Sequence, residues 1–130
     1  MEATVACLDT SILIDYYRKK DKRKSTFFQL THLYKLFAVS IVTEYEVLIG
    51  SRPEQEEFWR GFFDKVTVLP FNKPANDAAI SITKQLKATN KLIEVPDIFI
   101  AATALTHNLP LATLNLKHFK RIDGLNIIHI

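Results

Sequence analysis

Short apolar runs alternate along this chain with longer segments whose apolar residues recur every three or four positions. Val5-Ala6-Cys7-Leu8 is the first run, and four unbroken apolar residues fit a strand buried on both faces, as in a parallel sheet. Asp9, Thr10 and Ser11 then favour a helix start, and Ile12, Leu13, Tyr16 and Tyr17 follow at helical spacing. The pattern continues with an aromatic-rich helix over Thr26 to Leu36, a strand over Phe37 to Ile41, and a helix over Val42 to Ile49 that Gly50 ends. Pro53 to Asp64 reads as a further helix, with Pro53 in its first turn and Glu54, Glu56 and Glu57 near its positive end. Val66 to Leu69 is a strand stopped by Pro70, Pro74 to about Asn90 a long amphipathic helix, and Asp97 to His107 an almost wholly apolar one. Leu111 to Thr113 and Ile127 to Ile130 close the series as short strands. Strands separated by helical segments of this length require parallel crossovers. The expected fold class is therefore α/β: a three-layer α/β/α sandwich around a mostly parallel sheet of about five strands.

A length of 130 residues points to one domain over 1–130, and 48% hydrophobic residues are enough for one substantial core. No apolar stretch reaches transmembrane length, and the N-terminus lacks a basic segment followed by an apolar one, so a cytoplasmic protein without membrane contact is expected. Cys7, the one cysteine, allows no internal disulfide and stands where a small core residue belongs. A formal charge of +3 is compatible with a polyanionic partner without singling one out. The densest basic run, Arg18-Lys19-Lys20 and Lys22-Arg23-Lys24 about Asp21, reads as a solvated loop, with phosphate contact as the alternative.

Acidic residues interrupt these apolar elements at three places. Asp9 stands at a strand-to-helix junction, where open α/β sheets bind ligands beside a reversal of strand order; the alternative is a plain helix cap. In Ser40-Ile41-Val42-Thr43-Glu44-Tyr45-Glu46, two glutamates flank the apolar stripe of Val42, Tyr45, Leu48 and Ile49, and periodicity does not choose between them. Asp97 lies in the first turn of the apolar helix, where the helix dipole favours its charge, with Ala101 and Ala104 on the same side. A fourth segment, Leu111-Ala112-Thr113-Leu114-Asn115, is a strand ending in polar residues. Carboxylates and a carboxamide at such positions build an oxygen-lined cup. Buried together, the acids would raise one another's pKa unless a cation holds them ionised. Oxygen donors without clustered His or Cys favour Mg²⁺ or Mn²⁺, the ions of phosphodiester chemistry.

The stretches L-D-T-S-I-L-I-D, S-I-V-T-E-Y-E-V-L-I-G and P-D-I-F-I-A-A-T-A-L-T-H-N-L-P-L-A-T-L-N-L-K-H-F together resemble a PIN domain, specifically the VapC-type toxin ribonucleases of type II toxin–antitoxin modules. The resemblance spans the chain nearly end to end and implies an acidic pocket that cuts RNA with Mg²⁺ or Mn²⁺. It places the family's acids on Asp9, Glu46 and Asp97, choosing Glu46 over Glu44. Asn115 occupies a fourth position that is often aspartate, with His118 where many relatives carry another Asp. The resemblance thus implies one ion held mainly by Asp9 and Asp97, with Glu46 acting through water or on the nucleophile. Thr10, Ser11 and Thr113 would bond the carboxylates or the scissile phosphate, capping and strand-end bonding being their alternative roles. It also implies a small VapB-like antitoxin and a homodimer, and the aromatic surfaces around Phe27, Phe28, Tyr34 and Trp59 are expected to serve these contacts. His32, His107, His118 and His129 match no zinc spacing and read as structural or surface residues. Two other readings compete: a PIN-fold binding module that no longer cuts, and a receiver-like phospho-acceptor domain. The second is weakened because the third strand ends in Leu69-Pro70 rather than in an aspartate.

Overall fold

The structure is a computed structural model that describes residues 4–130. The first strand, β1 (Val5–Leu8), forms as the apolar run requires and pairs in parallel on both edges. It feeds α1 (Thr10–Arg18), α2 (Thr26–Leu30) and β2 (Leu36–Ser40). There follow α3 (Ile41–Gly50), α4 (Pro53–Lys65) and β3 (Thr67–Leu69), then α5 (Lys73–Ala88), α6 (Val95–Thr106), β4 (Leu111–Ala112) and α7 (Leu116–Phe119). The four strands are all parallel in the order β3-β2-β1-β4. The chain therefore builds outward from β1 to β3, crosses back, and lays β4 on the other edge of β1. The switch point of the sheet falls between β1 and β4, and the residues just beyond their carboxyl ends are Asp9 and Thr113.

Alternation along the strands divides the core into two. Ala6, Leu8 and Ala112 face one side, packing with Ile12, Leu13, Val47, Trp59 and Phe63 of α1, α3 and α4. Cys7 and Leu111 face the other, packing with Leu86 of α5 and with Ile98, Ala101 and Ala104 of α6. These are the two helical layers of the sandwich. The Cys7 thiol is pushed up to about 12 by burial, with the Asp9 charge adding to the effect, and so is inert.

The fifth strand contributes less than its apolar pattern suggested: Ile127 makes a single parallel bridge to Leu111. β4 is only two residues long and offers little edge to pair with. The aromatic helix expected over Thr26 to Leu36 stops at Leu30, because Leu36 to Ser40 are drawn into register with Val5 and its neighbours and with β3. Tertiary pairing here overrides a helical spacing of aromatics. Phe27 and Phe37 still meet, across the turn, with ring centroids 4.9 Å apart. The short helix α7 is an element the apolar pattern does not show; Asn115 stands just before it, with Thr113 and Leu114 between it and the end of β4.

The basic run after α1 is only partly a solvated loop. Lys22 turns inward, donating to the carbonyls of Tyr16, Tyr17 and Lys19 at 2.7 to 2.8 Å, and its ammonium lies over both tyrosine rings. It closes the carboxyl end of α1, where a cation is favoured by the helix dipole.

Candidate active site

Asp9 is the residue before α1, yet its side chain makes no capping bond to that helix. The plain-cap alternative does not describe it. It is a nearly buried carboxylate, 3% exposed, and one oxygen, Oδ2, accepts from Ser11 Oγ and from Thr113 Oγ1, each at 2.7 Å. Ser11 belongs to the first turn of α1 and Thr113 follows β4, so Asp9 ties the two edges of the switch point together. The Asp9 amide also donates to Ala112 O at 2.9 Å. The hydroxyls are themselves held: Ser11 Oγ accepts from Leu114 N, and Thr113 Oγ1 from Asn115 N.

Glu46 stands on α3, which faces α1. Thr10 Oγ1 donates to Glu46 Oε1 at 2.8 Å and lies 3.1 Å from Thr43 Oγ1, so the buried Thr43, one turn before Glu46, helps fix the pair. Glu44 lies in the first turn of α3 and is not among the charges that act on Asp97.

Asp97 lies in the first turn of α6. Burial first, then the charges of Asp9, Glu46 and Glu94, push its carboxyl from an ordinary 3.8 up to about 6, against an opposing pull from His118. Asp9 and Glu46 are thus close enough for Asp97 to feel both. His118 Nδ1 lies 3.8 Å from Asp97 Oδ2 and 2.8 Å from Asn115 Nδ2. A nitrogen that accepts from the amide cannot also donate to Asp97, so the tautomer of His118 decides which bond forms. From the sequence His118 reads as structural or surface and as the one histidine near the predicted pocket; the structure sets it between Asp97 and Asn115, the latter one helical turn before it.

The seven residues singled out from the sequence thus fall into three groups: Asp9 with Ser11 and Thr113, Glu46 with Thr10, and Asp97 with Asn115, these two flanking His118. Among the described residues, none of the three acids is paired with a lysine or arginine. No three His, Cys, Asp or Glu side chains there are gathered tightly enough to form a complete metal cage. Mg²⁺ does not require one, since it is commonly held by one or two carboxylates and keeps several waters. An all-oxygen donor set with two or three uncompensated acids fits that ion or Mn²⁺.

The family model for the PIN domain matches residues 6–125. The chain belongs to the PIN domain family. This PIN domain is 35% identical to Ribonuclease VapC1 of Methanocaldococcus jannaschii, over 97% of its own length and 88% of that relative. It is also 35% identical to Ribonuclease VapC1 of Rickettsia felis, over 95% of its length and 94% of that protein. Among solved structures it is similar to VapBC-1 from nontypeable Haemophilus influenzae, with TM-score 0.82, 27% identity and coverage of 95% and 96% of the two chains. The fold is shared as well with VapBC2 from Rickettsia felis bound to a DNA fragment from their promoter, with TM-score 0.81 at 24% identity over 95% and 97% of the chains. Among the described residues no helix is long and apolar enough to cross a membrane.

Proposed function

We propose that this chain is a divalent-metal-dependent endoribonuclease, the cytoplasmic toxin of a VapBC-type pair, acting as one domain over 1–130. The observation that carries the reading is Asp97, whose carboxyl is raised by burial and by the charges of Asp9 and Glu46 while no lysine or arginine balances them. A protein keeps such a cluster where a cation completes it.

Asp9 and Asp97 would hold Mg²⁺ or Mn²⁺; when bound, the ion supplies positive charge to the attacked phosphate and acidifies a water. Ser11 and Thr113 occupy Asp9 Oδ2, which would leave Oδ1 for the ion. Thr10 occupies Glu46 Oε1, which leaves Oε2 to accept a proton from the attacking water. Attack by water on the phosphodiester expels the 3′-oxygen, giving a 5′-phosphate and a 3′-hydroxyl. Asn115 lies at the rim as a neutral hydrogen-bonding group, so the cup carries three formal charges, suited to one ion rather than two.

The partner is a small VapB-like antitoxin, and the chain pairs as a homodimer. A cleft of about 650 Å³ between α1, α2 and α4, lined by Tyr16, Phe27, Phe37, Phe58 and Phe62, supplies the aromatic surface for the antitoxin. Phe58 is 40% exposed there while Trp59 is buried beneath it.

The test is cleavage of RNA by the purified chain with Mg²⁺, Mn²⁺ or chelator, beside Asp9→Asn. Metal-dependent cleavage that the variant lacks is the expected result. A wild type that binds RNA but never cuts it would favour the non-cleaving binding module instead.

A further inference from the structure

We propose that Arg18 anchors the backbone of a single-stranded RNA in the groove that runs along α1 away from the carboxylates. The inference rests on the ribonuclease reading and adds the path its substrate takes. Ser11, Ile14, Asp15 and Arg18 stand at i, i+3, i+4 and i+7 and so form one stripe of α1. With Thr10, Lys19 and Leu114 they line a groove of about 530 Å³. Its inner end is Thr10 and Ser11, the hydroxyls bonded to Glu46 and Asp9. Its outer end is Arg18. Seven residues of helix at about 1.5 Å each separate Ser11 from Arg18 by roughly 10 Å. That is about three stacked nucleotides at roughly 3.4 Å per step.

Position and charge together select Arg18 from the basic run: Lys20 and Lys24 are exposed but do not line this groove. Lys22 is spent on three backbone carbonyls, Arg23 is paired with Asp21 at 3.0 Å, and Lys19 lies 3.6 Å from Asp15. Arg18 is exposed and forms no ion pair with any described residue. The end of α1 does not need it, because Lys22 already serves those carbonyls. The one acid in the groove, Asp15, is compensated: it accepts from Thr26 N at 3.0 Å and faces Lys19. The groove therefore presents a polyanion with a free guanidinium and no free carboxylate. A guanidinium matches phosphate with two parallel bonds. Leu114, 49% exposed, gives the groove wall an apolar surface for a ribose or base. On the other flank of α1, Arg18 also lines a cleft of about 180 Å³ that contains Glu46. Both clefts beside Arg18 therefore lead to residues of the cup.

The experiment measures binding of a fluorescently labelled, mixed-sequence single-stranded RNA oligonucleotide to the full chain in chelator, across a salt series, with cleavage kinetics run in parallel in Mn²⁺. Arg18→Gln is compared with Arg18→Lys and with Lys84→Gln, an equal charge loss at an exposed position of α5. Arg18→Gln should weaken binding about two- to fivefold, the worth of an exposed ion pair. It should also lower the slope of log affinity against log salt by about 0.7, one phosphate contact on a single strand. KM should rise with kcat unchanged, Arg18→Lys should recover the slope, and Lys84→Gln should match the wild type. If the wild type cuts RNA and Arg18→Gln behaves as Lys84→Gln does, this inference falls and the ribonuclease reading stands. If Arg18→Gln leaves RNA binding intact but weakens capture of an antitoxin, the groove belongs to the protein partner and the inference is overturned. If the wild type cuts no RNA, both fall.

Discussion

Replacing Asp97 by asparagine should abolish cleavage and yet stabilise the metal-free protein at neutral pH. The carboxyl is raised from 3.8 to about 6, so the folded state binds its proton more tightly than the unfolded state does. Stability from this group is fully present below the unfolded pKa and is lost as pH rises through about 6. At about 1.4 kcal/mol per pH unit, holding the charge in the cup at neutral pH costs up to about 3 kcal/mol. The side chain is 19% exposed, so screening reduces this to about 1–2 kcal/mol. Asparagine also forgoes the charge–dipole attraction at the start of α6, about 0.3–1 kcal/mol. The net gain is about 1 kcal/mol, or roughly 3–6 °C in Tm. Thermal melts of wild type and Asp97→Asn in chelator, at about pH 7.5 and about pH 3, measure it; the difference should largely vanish at the lower pH, below the unfolded 3.8, where Asp97 is mostly protonated in both states. Adding Mn²⁺ should then raise the Tm of the wild type alone, by the mass action of an ion that binds only the folded state. An Asp97→Asn protein no more stable than wild type at neutral pH, or one stabilised equally by Mn²⁺, would refute the reasoning.

Thr113→Val removes one of the two hydroxyls on the buried Asp9, and should cost about 1–3 kcal/mol by urea denaturation and about 10–100-fold in Mn²⁺ affinity by calorimetry. Lys22→Met should cost a similar amount of stability, about 1–3 kcal/mol, by unpairing the end of α1, while the salt slope for RNA stays at the wild-type value; a slope lowered by about 0.7 would show Lys22 on phosphate instead. Asn115→Asp adds a charged ligand at the rim and should tighten Mn²⁺ binding in the same titration; unchanged affinity would place Asn115 outside the cup. Light scattering at high micromolar concentration should give a dimer mass, and a monomer would count against the proposed pairing.

Burial was legible in the chain wherever it is local. The run Val5 to Leu8 and the all-apolar helix around Ala101 could only be interior, because each exposes apolar surface on every side unless covered, and the parallel order of strands followed from the helices between them. Asp9 at the end of such a strand was a readable anomaly. Its partner was not: Thr113 lies 104 residues away, and no local period encodes which hydroxyl will meet which carboxylate. Glu44 and Glu46 flank the same apolar stripe, so the helix alone left them equivalent, and it is Thr10 on the facing helix that reaches Glu46. The aromatics from Phe27 to Phe37 carry a helical spacing that the fold sets aside, since backbone pairing of Leu36 to Ser40 with both β1 and β3 outweighs the intrinsic preference of a short segment. Lys22 read as solvated because it is charged, but three carbonyls at a helix end and two tyrosine faces exist only once α1 has folded beside it. Composition and period report how much of a residue must leave water. Which group it then meets is decided by chain crossings that only the closed tertiary structure contains.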